Sequence, residues 1–217
     1  MSTVSWLGEK HAHWCIISDT PRSDVVVSNK TTVNTSGKAS QKTPVLRPGL
    51  LAGMDLAHHG GLLRHIAPHG KLVRRSFLDQ HGIFFYQGIT YEDYIYWLDV
   101  VTKNPRISRV PDFIYTYKRR STSISSTSQR LNPFQLHSRL VQTRESLRIA
   151  KASGSKELYE RITVDQLGNS VMRHFKAFAT TEDTELQRRA YETLREGLQP
   201  YRKLAYNKLY GWRGVWI

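Results

Sequence analysis

Two adjacent acidic residues, Glu92 and Asp93, stand between two basic segments of the sequence and indicate acid–base chemistry. Thr90 precedes them as a helix N-cap would, which puts Asp93 at the third helical position. A carboxylate in the first turn lies at the positive end of the helix dipole, which favours its ionised form. Such a group can take a proton from a hydroxyl that attacks a carbon atom. The alternative is that both acids only stabilise the start of the helix.

The basic residues on either side of this acidic pair have the chemistry of a phosphate site. Arginine forks, lysine charges and hydroxyl donors bind phosphate oxygens well, and they would stabilise the charge that develops on a departing diphosphate. The candidates are Lys71, Arg74, Arg75, Lys118, Arg119, Arg120 and Ser123. The alternative is a solvated basic face without a ligand.

The overall composition also indicates an anionic partner. The 217 residues carry a formal net charge of +14, which favours a phosphate-bearing substrate, a nucleic acid or an anionic membrane surface. The alternative is an ordinary surface with a basic bias. No helix-turn-helix, zinc-finger or RNA-binding signature occurs, so we expect no specific nucleic-acid partner.

The single cysteine, Cys15, excludes an intrachain disulfide and a multi-cysteine metal site and fits a reducing cytoplasm. The histidines of the central region lack the spacing of a HExxH metal site, so we predict surface or core roles for them. They are His58, His59, His65 and His69. No apolar run approaches the roughly 20 residues that span a bilayer, and the N-terminus lacks the order of a signal peptide. We predict a cytoplasmic protein.

The elements that position these residues alternate between strand and helix patterns. Apolar and alternating runs predict strands at residues 25–27, 71–74, 83–85 (around Phe84) and 107–117, the last broken at Pro111 and Asp112. Residues 34–44 form a polar loop in this prediction, and residues 50–66 form a helix. Three helices follow from Phe134 to about Leu198. The predicted fold class is α/β, a partial mixed sheet with flanking helices and then a C-terminal three-helix region.

The stretch from Gly70 to Ser125 carries a recognisable order of motifs. GKLVRRSFLDQHGIFF is followed by a glycine, a turn and the acidic pair, and then by a strand that ends in Tyr115 and Tyr117, Lys118 and a Ser-Ile-Ser run. This order resembles the acceptor-side half of inverting family-2 glycosyltransferases with the GT-A fold. The likeness is greatest to those that act on teichoic acids, capsules and other envelope polysaccharides. It is specific over residues 70–125 and looser elsewhere.

The resemblance implies transfer of a sugar from a nucleotide-diphosphate donor to a hydroxyl of a polysaccharide or polyol-phosphate acceptor. By resemblance, Asp93 is the catalytic base, and Glu92 orients it or the acceptor. Lys71 and Arg74 line the cleft between donor and acceptor. The residues expected to cover the nucleotide diphosphate are Lys118, Arg119, Arg120 and the serine loop that contains Ser123.

The sequence departs from the family pattern in one respect. The family binds its nucleotide with an N-terminal half that ends in an Asp-x-Asp motif holding Mg²⁺ or Mn²⁺, and these 217 residues contain no such motif. We therefore predict a partial GT-A domain over residues 1–130, a helical region over 131–217, and a truncated chain that is inactive alone. An incomplete sheet would also favour self-association or a companion chain.

The C-terminal segment, residues 200–217, mixes tyrosine, tryptophan and leucine with lysine and arginine. This composition fits an interfacial anchor on anionic lipid at the inner face of the cell membrane, or a tail that packs on its own domain. The competing function for the whole chain is a non-catalytic basic module that binds an anionic polymer, a membrane surface or a partner chain.

Overall fold

The computed structural model describes residues 23–42, 49–51, 67–118 and 132–201. They belong to two compact units that are not consecutive in the chain. The sheet unit holds the described residues up to Ile83 and those from Lys103 to Lys118, and the helical unit holds Phe84–Thr102 and residues 132–201. The mixture of sheet and helices confirms the predicted α/β class. The predicted division of the chain at residue 130 stays a prediction.

The sheet unit is built on a mixed sheet. Its described strands are β1 (Val25–Val33), β2 (Ala39–Lys42), β3 (Gly49–Leu51), β4 (Lys71–Val73) and β5 (Ile107–Lys118). Strand β1 pairs with β5 in parallel and with β2 and β4 antiparallel, and β3 pairs antiparallel with β5. A short helix, α1 (Arg75–His81), follows β4. Strands β1, β4 and β5 lie where strands were predicted, and β1 extends beyond the predicted residues.

The start of the β1–β5 pair is buried and closed by an ion pair. Val25 and Ile107 are register partners, and both are fully buried. Just before them, the backbone N–H of Arg106 donates to Asp24 Oδ2 (2.8 Å), and the guanidinium donates to both carboxylate oxygens (3.1 Å each). Burial opposes ionisation of Asp24, but these bonds outweigh it and hold its pKa below the usual value. The contact fixes the parallel register of the two strands.

Strand β5 corrects the prediction of two strands separated at Pro111. It is continuous over 12 residues, and the irregularity is confined to its pairing with β1. Val27 is opposite Arg109 and Asn29 is opposite Phe113, so the register shifts between these pairs. Proline has no N–H to donate to a ladder and is tolerated at such a bulge. The strand therefore bends past the proline without ending.

Three further expectations for the first half of the chain are wrong. The predicted loop at 34–44 contains β2, which begins after a turn in which Asn34 Oδ1 accepts bonds from the backbone N–H groups of Ser36 and Lys38. Leu50 and Leu51 lie in β3, not in a helix, and the rest of that predicted helix lies outside the described residues. Residues 83–85 are not a strand, and Phe84 is 75% exposed.

The geometry at the end of α1 explains why the strand at 83–85 does not form. Gly82 has φ +62, the left-handed conformation that ends a helix. The N–H of Ile83 donates back to the carbonyl of Leu78 at 3.0 Å. Because this amide closes the helix, it is not available to begin a sheet ladder.

The helical unit confirms the predicted C-terminal helices. Its described elements are α2 (Glu92–Thr102), α3 (Pro133–Ala152), α4 (Lys156–Thr163), a π-helical segment (Val164–Val171), α5 (Met172–Ala179) and α6 (Thr184–Leu198). A short 3₁₀ turn, Gln199–Tyr201, follows. Ser155 Oγ accepts from the N–H of Leu158 (3.2 Å) and caps the start of α4. The π-helical segment was not predicted.

The helical unit has an apolar core and a buried polar layer. The apolar cluster consists of Leu136, Val171, Phe178, Ala190 and Leu194, and Trp97 of α2 is fully buried. Helix α3 buries a polar face, whose members are Gln135, Ser138, Gln142, Thr143 and Ser146. A helix with this pattern must satisfy its buried polar groups through bonds to its neighbours.

Candidate functional site

The acidic pair opens helix α2, as its sequence predicts. Glu92 and Asp93 are the first two residues of the helix and both are half-buried. Tyr91, just before them, has φ +69, and its carbonyl accepts from the N–H of Tyr94 at 3.2 Å. The carboxylates therefore lie in the first turn, at the positive end of the helix dipole. An ionised carboxylate in this position has the chemistry of a proton acceptor.

Thr90 attaches the segment before α2 to a neighbouring helix, and its predicted role as the N-cap stays a prediction. Its hydroxyl donates to Gln135 Oε1 at 2.8 Å, and its N–H donates to Ser138 Oγ at 3.2 Å. Both partners belong to the buried polar face of α3. The polar side chain in front of the acidic pair thus fixes the segment to a neighbouring helix, because two good partners lie there.

Tyr91 is held by contacts on its ring and on its hydroxyl. The guanidinium carbon of Arg139 lies 3.5 Å from the centre of the ring, a close cation–π contact. The hydroxyl lies 3.4 Å from Nε2 of His174, which is buried. Such contacts offset the roughly 1–2 kcal/mol that a left-handed conformation costs a non-glycine residue.

The partner of the other ring nitrogen sets the tautomer of His174. Nδ1 lies 3.1 Å from the carbonyl oxygen of Ser170, which can only accept. In the neutral ring Nδ1 therefore carries the proton, and Nε2 accepts from the Tyr91 hydroxyl. Sequence reasoning missed this histidine because Tyr91 and His174 are 83 residues apart.

A second buried tyrosine lies deeper in the helical unit. Burial raises the pKa of Tyr94 to about 12, and Gln166 of the π-helical segment opposes part of that rise. Neither the Tyr94 hydroxyl nor Gln166 Oε1 makes a hydrogen bond of normal geometry within the described part of the chain. Tyr94 therefore stays protonated at physiological pH and does not act as a base.

Three of the basic candidates in the sheet unit have protein partners. Arg74 donates through Nε and Nη2 to the carbonyl of Ser23, at 3.1 and 3.0 Å. The ammonium of Lys71 donates to the carbonyl of Ala67. Arg75 pairs with Asp79 one turn along α1, at 2.8 Å. These contacts give each residue a local structural role.

The remaining basic candidates lie at and after the end of β5. Lys118 is the last residue of that strand and is exposed. Arg119, Arg120 and Ser123 lie outside the described residues. The acidic pair and the described basic candidates belong to different units, so their roles as one site stay a prediction.

The described residues provide no ligand set for the divalent metal that the resemblance implies. No three His, Cys, Asp or Glu side chains are grouped as metal ligands in residues 23–42, 49–51, 67–118 and 132–201. The sequence also contains no Asp-x-Asp motif. No chemical step is therefore assigned to a metal here. In the same ranges, no helix combines the length and the apolar composition needed to cross a bilayer.

Comparisons with known proteins find similarity to solved structures. No protein-family model matches the chain, and no curated protein matches it. Among the solved structures that match is the crystal structure of S. aureus TarS 1-349, with 15% sequence identity and a TM-score of 0.37. The match covers 89% of this chain and 62% of that one. This chain thus spans less than two thirds of the matched structure, and at this TM-score the similarity identifies no activity.

Proposed function

We propose that this chain is the acceptor-side part of an inverting glycosyltransferase, in which Asp93 is the general base. The proposal is carried by one observation: Asp93 and Glu92 open α2 behind Tyr91, whose backbone is left-handed, whose ring contacts Arg139 and whose hydroxyl lies beside His174. It is supported by the resemblance over residues 70–125. A general base must keep a fixed position relative to its substrate hydroxyl, and these contacts supply that rigidity.

The proposed reaction moves one sugar with inversion. The acceptor hydroxyl gives its proton to Asp93 as its oxygen forms a bond to the anomeric carbon of the donor. The bond between that carbon and the diphosphate oxygen breaks, and the electron pair leaves with the nucleoside diphosphate. Glu92 orients the acceptor or Asp93, and Lys118, Arg119, Arg120 and Ser123 stabilise the leaving diphosphate. Polysaccharides or polyol phosphates are the proposed acceptors.

The test is a transfer assay with labelled nucleotide sugars, Mg²⁺ or Mn²⁺, and polyol-phosphate or polysaccharide acceptors. The chain is assayed alone and after fusion to a nucleotide-binding half that carries an Asp-x-Asp motif. We expect no transfer by the chain alone and transfer by the fusion. Asp93→Asn should then lower the rate by about 10²-fold or more, whereas Asp99→Asn, in the same helix, should leave it unchanged.

Two results would contradict this proposal. Transfer that survives Asp93→Asn would show that Asp93 is not the general base. The absence of transfer in every fusion would favour the non-catalytic basic module. That alternative predicts binding of anionic polymers that is insensitive to Asp93→Asn and weakens steeply with salt.

A location at the inner face of the cell membrane is a separate proposal and rests on the composition of residues 200–217. Co-sedimentation with anionic liposomes should be lost when these residues are removed, because their aromatic and basic side chains would supply the attraction. Equal co-sedimentation of the shortened chain would refute the membrane anchor.

A further inference from the structure

The sheet unit carries an aromatic and basic cluster to which the proposed reaction gives no role, apart from the cleft position that the resemblance implies for Lys71. The ring of His69 lies 4.9 Å from that of Tyr115 and 5.3 Å from that of Tyr117, measured between centroids, with tilts of 53° and 40°. Tyr115 is 37% exposed, and the other two rings are half-buried. We call these three rings, with Lys30 and Lys71, the His69 patch.

A close backbone approach fixes His69 in this position. Gly70 has φ +72, and a Cβ at this residue would lie only 2.9 Å from Ser28 Oγ. The carbonyl of Gly70 accepts from both the N–H and the hydroxyl of Ser28, at 2.8 and 2.9 Å. The turn that carries His69 is thereby attached to β1, so that the imidazole rests on the tyrosines of β5.

The strand register places a lysine beside these rings. Lys30 of β1 is the register partner of Tyr115, and Thr32 is the partner of Tyr117. Because side chains alternate along a strand, residues 115 and 117 share one face of the sheet, and residue 118 lies on the other. Lys30 therefore belongs to the face of the two tyrosines and Lys118 does not.

The pKa of His69 reflects burial and two nearby lysine charges. Burial lowers its pKa, and the charges of Lys30 on β1 and Lys71 on β4 lower it further. Two hydroxyl-bearing rings of β5, those of Tyr115 and Tyr117, lie against the imidazole. Among the side chains that the structure describes, no carboxylate contributes to this shift, so an anion would meet attraction from both lysines.

The aromatic surface indicates what else the ligand must contain. The faces of aromatic rings are electron-rich and attract the C–H bonds on the face of a sugar ring. Single-stranded nucleic acids instead use separate platforms on which successive bases stack. Here the His69 ring contacts both tyrosine rings, at tilts of 53° and 40°, which gives one small aromatic surface suited to a single ring.

We propose that the His69 patch binds a phosphorylated sugar unit, with the sugar ring against His69, Tyr115 and Tyr117 and the phosphate at Lys30 and Lys71. This binding goes beyond the proposed transfer reaction, since it requires neither the acidic pair nor a donor. It would hold a phosphate-bearing glycan on the sheet unit.

The test is calorimetric titration of the full chain with glucose 1-phosphate, inorganic phosphate and glucose. We expect glucose 1-phosphate to bind more tightly than either of its parts. Lys30→Gln should weaken that binding about tenfold, the value of one charge-assisted hydrogen bond. Lys38→Gln removes the same charge from the exposed β1–β2 turn and should leave the affinity unchanged.

Aromatic variants and one spectroscopic measurement complete the test. Tyr115→Leu should also weaken binding about tenfold, whereas Tyr191→Leu, at a 57% exposed tyrosine of α6, should not. Circular dichroism verifies that each variant folds. In the unaltered chain, bound phosphate should raise the pKa of His69 in an NMR titration, because the anion offsets the two lysine charges.

Several results would overturn the proposal. Equal weakening by Lys30→Gln and Lys38→Gln would show general charge attraction only. Tighter binding of oligothymidylate that Tyr115→Leu abolishes and glucose 1-phosphate does not compete would assign the patch to nucleic acid. Loss of glucose 1-phosphate binding in Asp93→Asn would place the ligand at the acidic pair instead. The titration contains no nucleotide-sugar donor. Its outcomes can therefore be interpreted even if the transfer assay fails.

Discussion

The sheet unit and the helical unit are held together in different ways. In the sheet unit the decisive contacts are a few polar bonds at fixed backbone positions, such as Asp24 to Arg106 and Ser28 to Gly70. In the helical unit, large apolar side chains such as Trp97 fill the interior, and a buried polar face of α3 runs beside them. The stability of the sheet unit therefore depends on exact backbone positions, and that of the helical unit depends on filling its interior.

This difference matters for where chemistry can be placed. A polar bond between backbone segments fixes strand register, so the sheet unit can present a defined surface such as the His69 patch. The buried polar face of the helical unit instead holds the segment that leads into the acidic pair, through Thr90 and Tyr91. Backbone polar bonds therefore support the His69 patch in the sheet unit, and buried side-chain contacts support the acidic pair in the helical unit.

Removing volume from the helical unit should give the largest effect. Trp97→Ala leaves a large cavity in a fully buried site and should lower the free energy of unfolding by about 3–5 kcal/mol. Urea denaturation followed by circular dichroism measures the change. The matched control is Tyr191→Ala, which removes an exposed ring and should cost less than about 0.5 kcal/mol. A loss below about 1 kcal/mol for Trp97→Ala would show that the stability of the helical unit does not depend on filling its interior.

Disturbing a close backbone approach should give the next largest effect. Gly70→Ala meets both a positive φ and the Ser28 hydroxyl, whereas Gly37→Ala has φ +81 but open space. We expect a loss of about 2–3 kcal/mol for the first and about 1 kcal/mol for the second. Adding Ser28→Ala to each variant in a double-mutant cycle should reduce the cost of Gly70→Ala only. Equal costs for the two glycines would mean that the close approach contributes nothing.

The Asp24–Arg106 ion pair should give a smaller effect that depends on pH. The folded state lowers the pKa of Asp24, so its contribution is present above the unfolded pKa, about 3.9, and is lost as the pH falls through the lower folded pKa. Asp24→Asn should cost about 1 kcal/mol near neutral pH and progressively less in acid. Thermal melts between pH 7 and pH 3 measure this. A pH-independent difference would contradict the ionic origin.

The smallest effect is expected at Tyr94. Its buried hydroxyl makes no hydrogen bond of normal geometry within the described ranges, so Tyr94→Phe removes a group that gives little stability. The change should be within about 0.5 kcal/mol, or slightly stabilising. A loss above about 1.5 kcal/mol would reveal that the polar layer depends on this hydroxyl. The control is Tyr96→Phe, which removes the same group from another buried ring of α2.

The sequence predicts the elements whose signals are local. The valine run of β1, the serine cap of α4 and the long helix α3 follow from residue types at fixed spacing. The strand predicted around Phe84 fails because the Ile83 amide closes α1, a detail of helix termination that composition does not show. The break predicted at Pro111 fails because a bulge in the pairing absorbs the proline.

The candidate site also has one part that the sequence predicts and one part that it does not. The position of Glu92 and Asp93 at a helix start is readable from local sequence. The supports around them are not, because Thr90 bonds to residues 45 and 48 positions away and Tyr91 to one 83 positions away. A usable signal was present in α3, where Gln135, Ser138 and Gln142 recur at helical spacing. A polar stripe of this kind indicates a buried face that needs partners.

The π-helical segment Val164–Val171 has a consequence for how the chain tolerates changes in length. Each residue turns an α-helix by about 100°, and a wide π turn holds an extra residue within the same helix. Deleting one residue between 164 and 171 therefore narrows a π turn to an α turn and leaves the orientation of the residues after it nearly unchanged. His174 would stay beside Tyr91, whereas the same deletion in a purely α-helical segment would rotate it by about 100°.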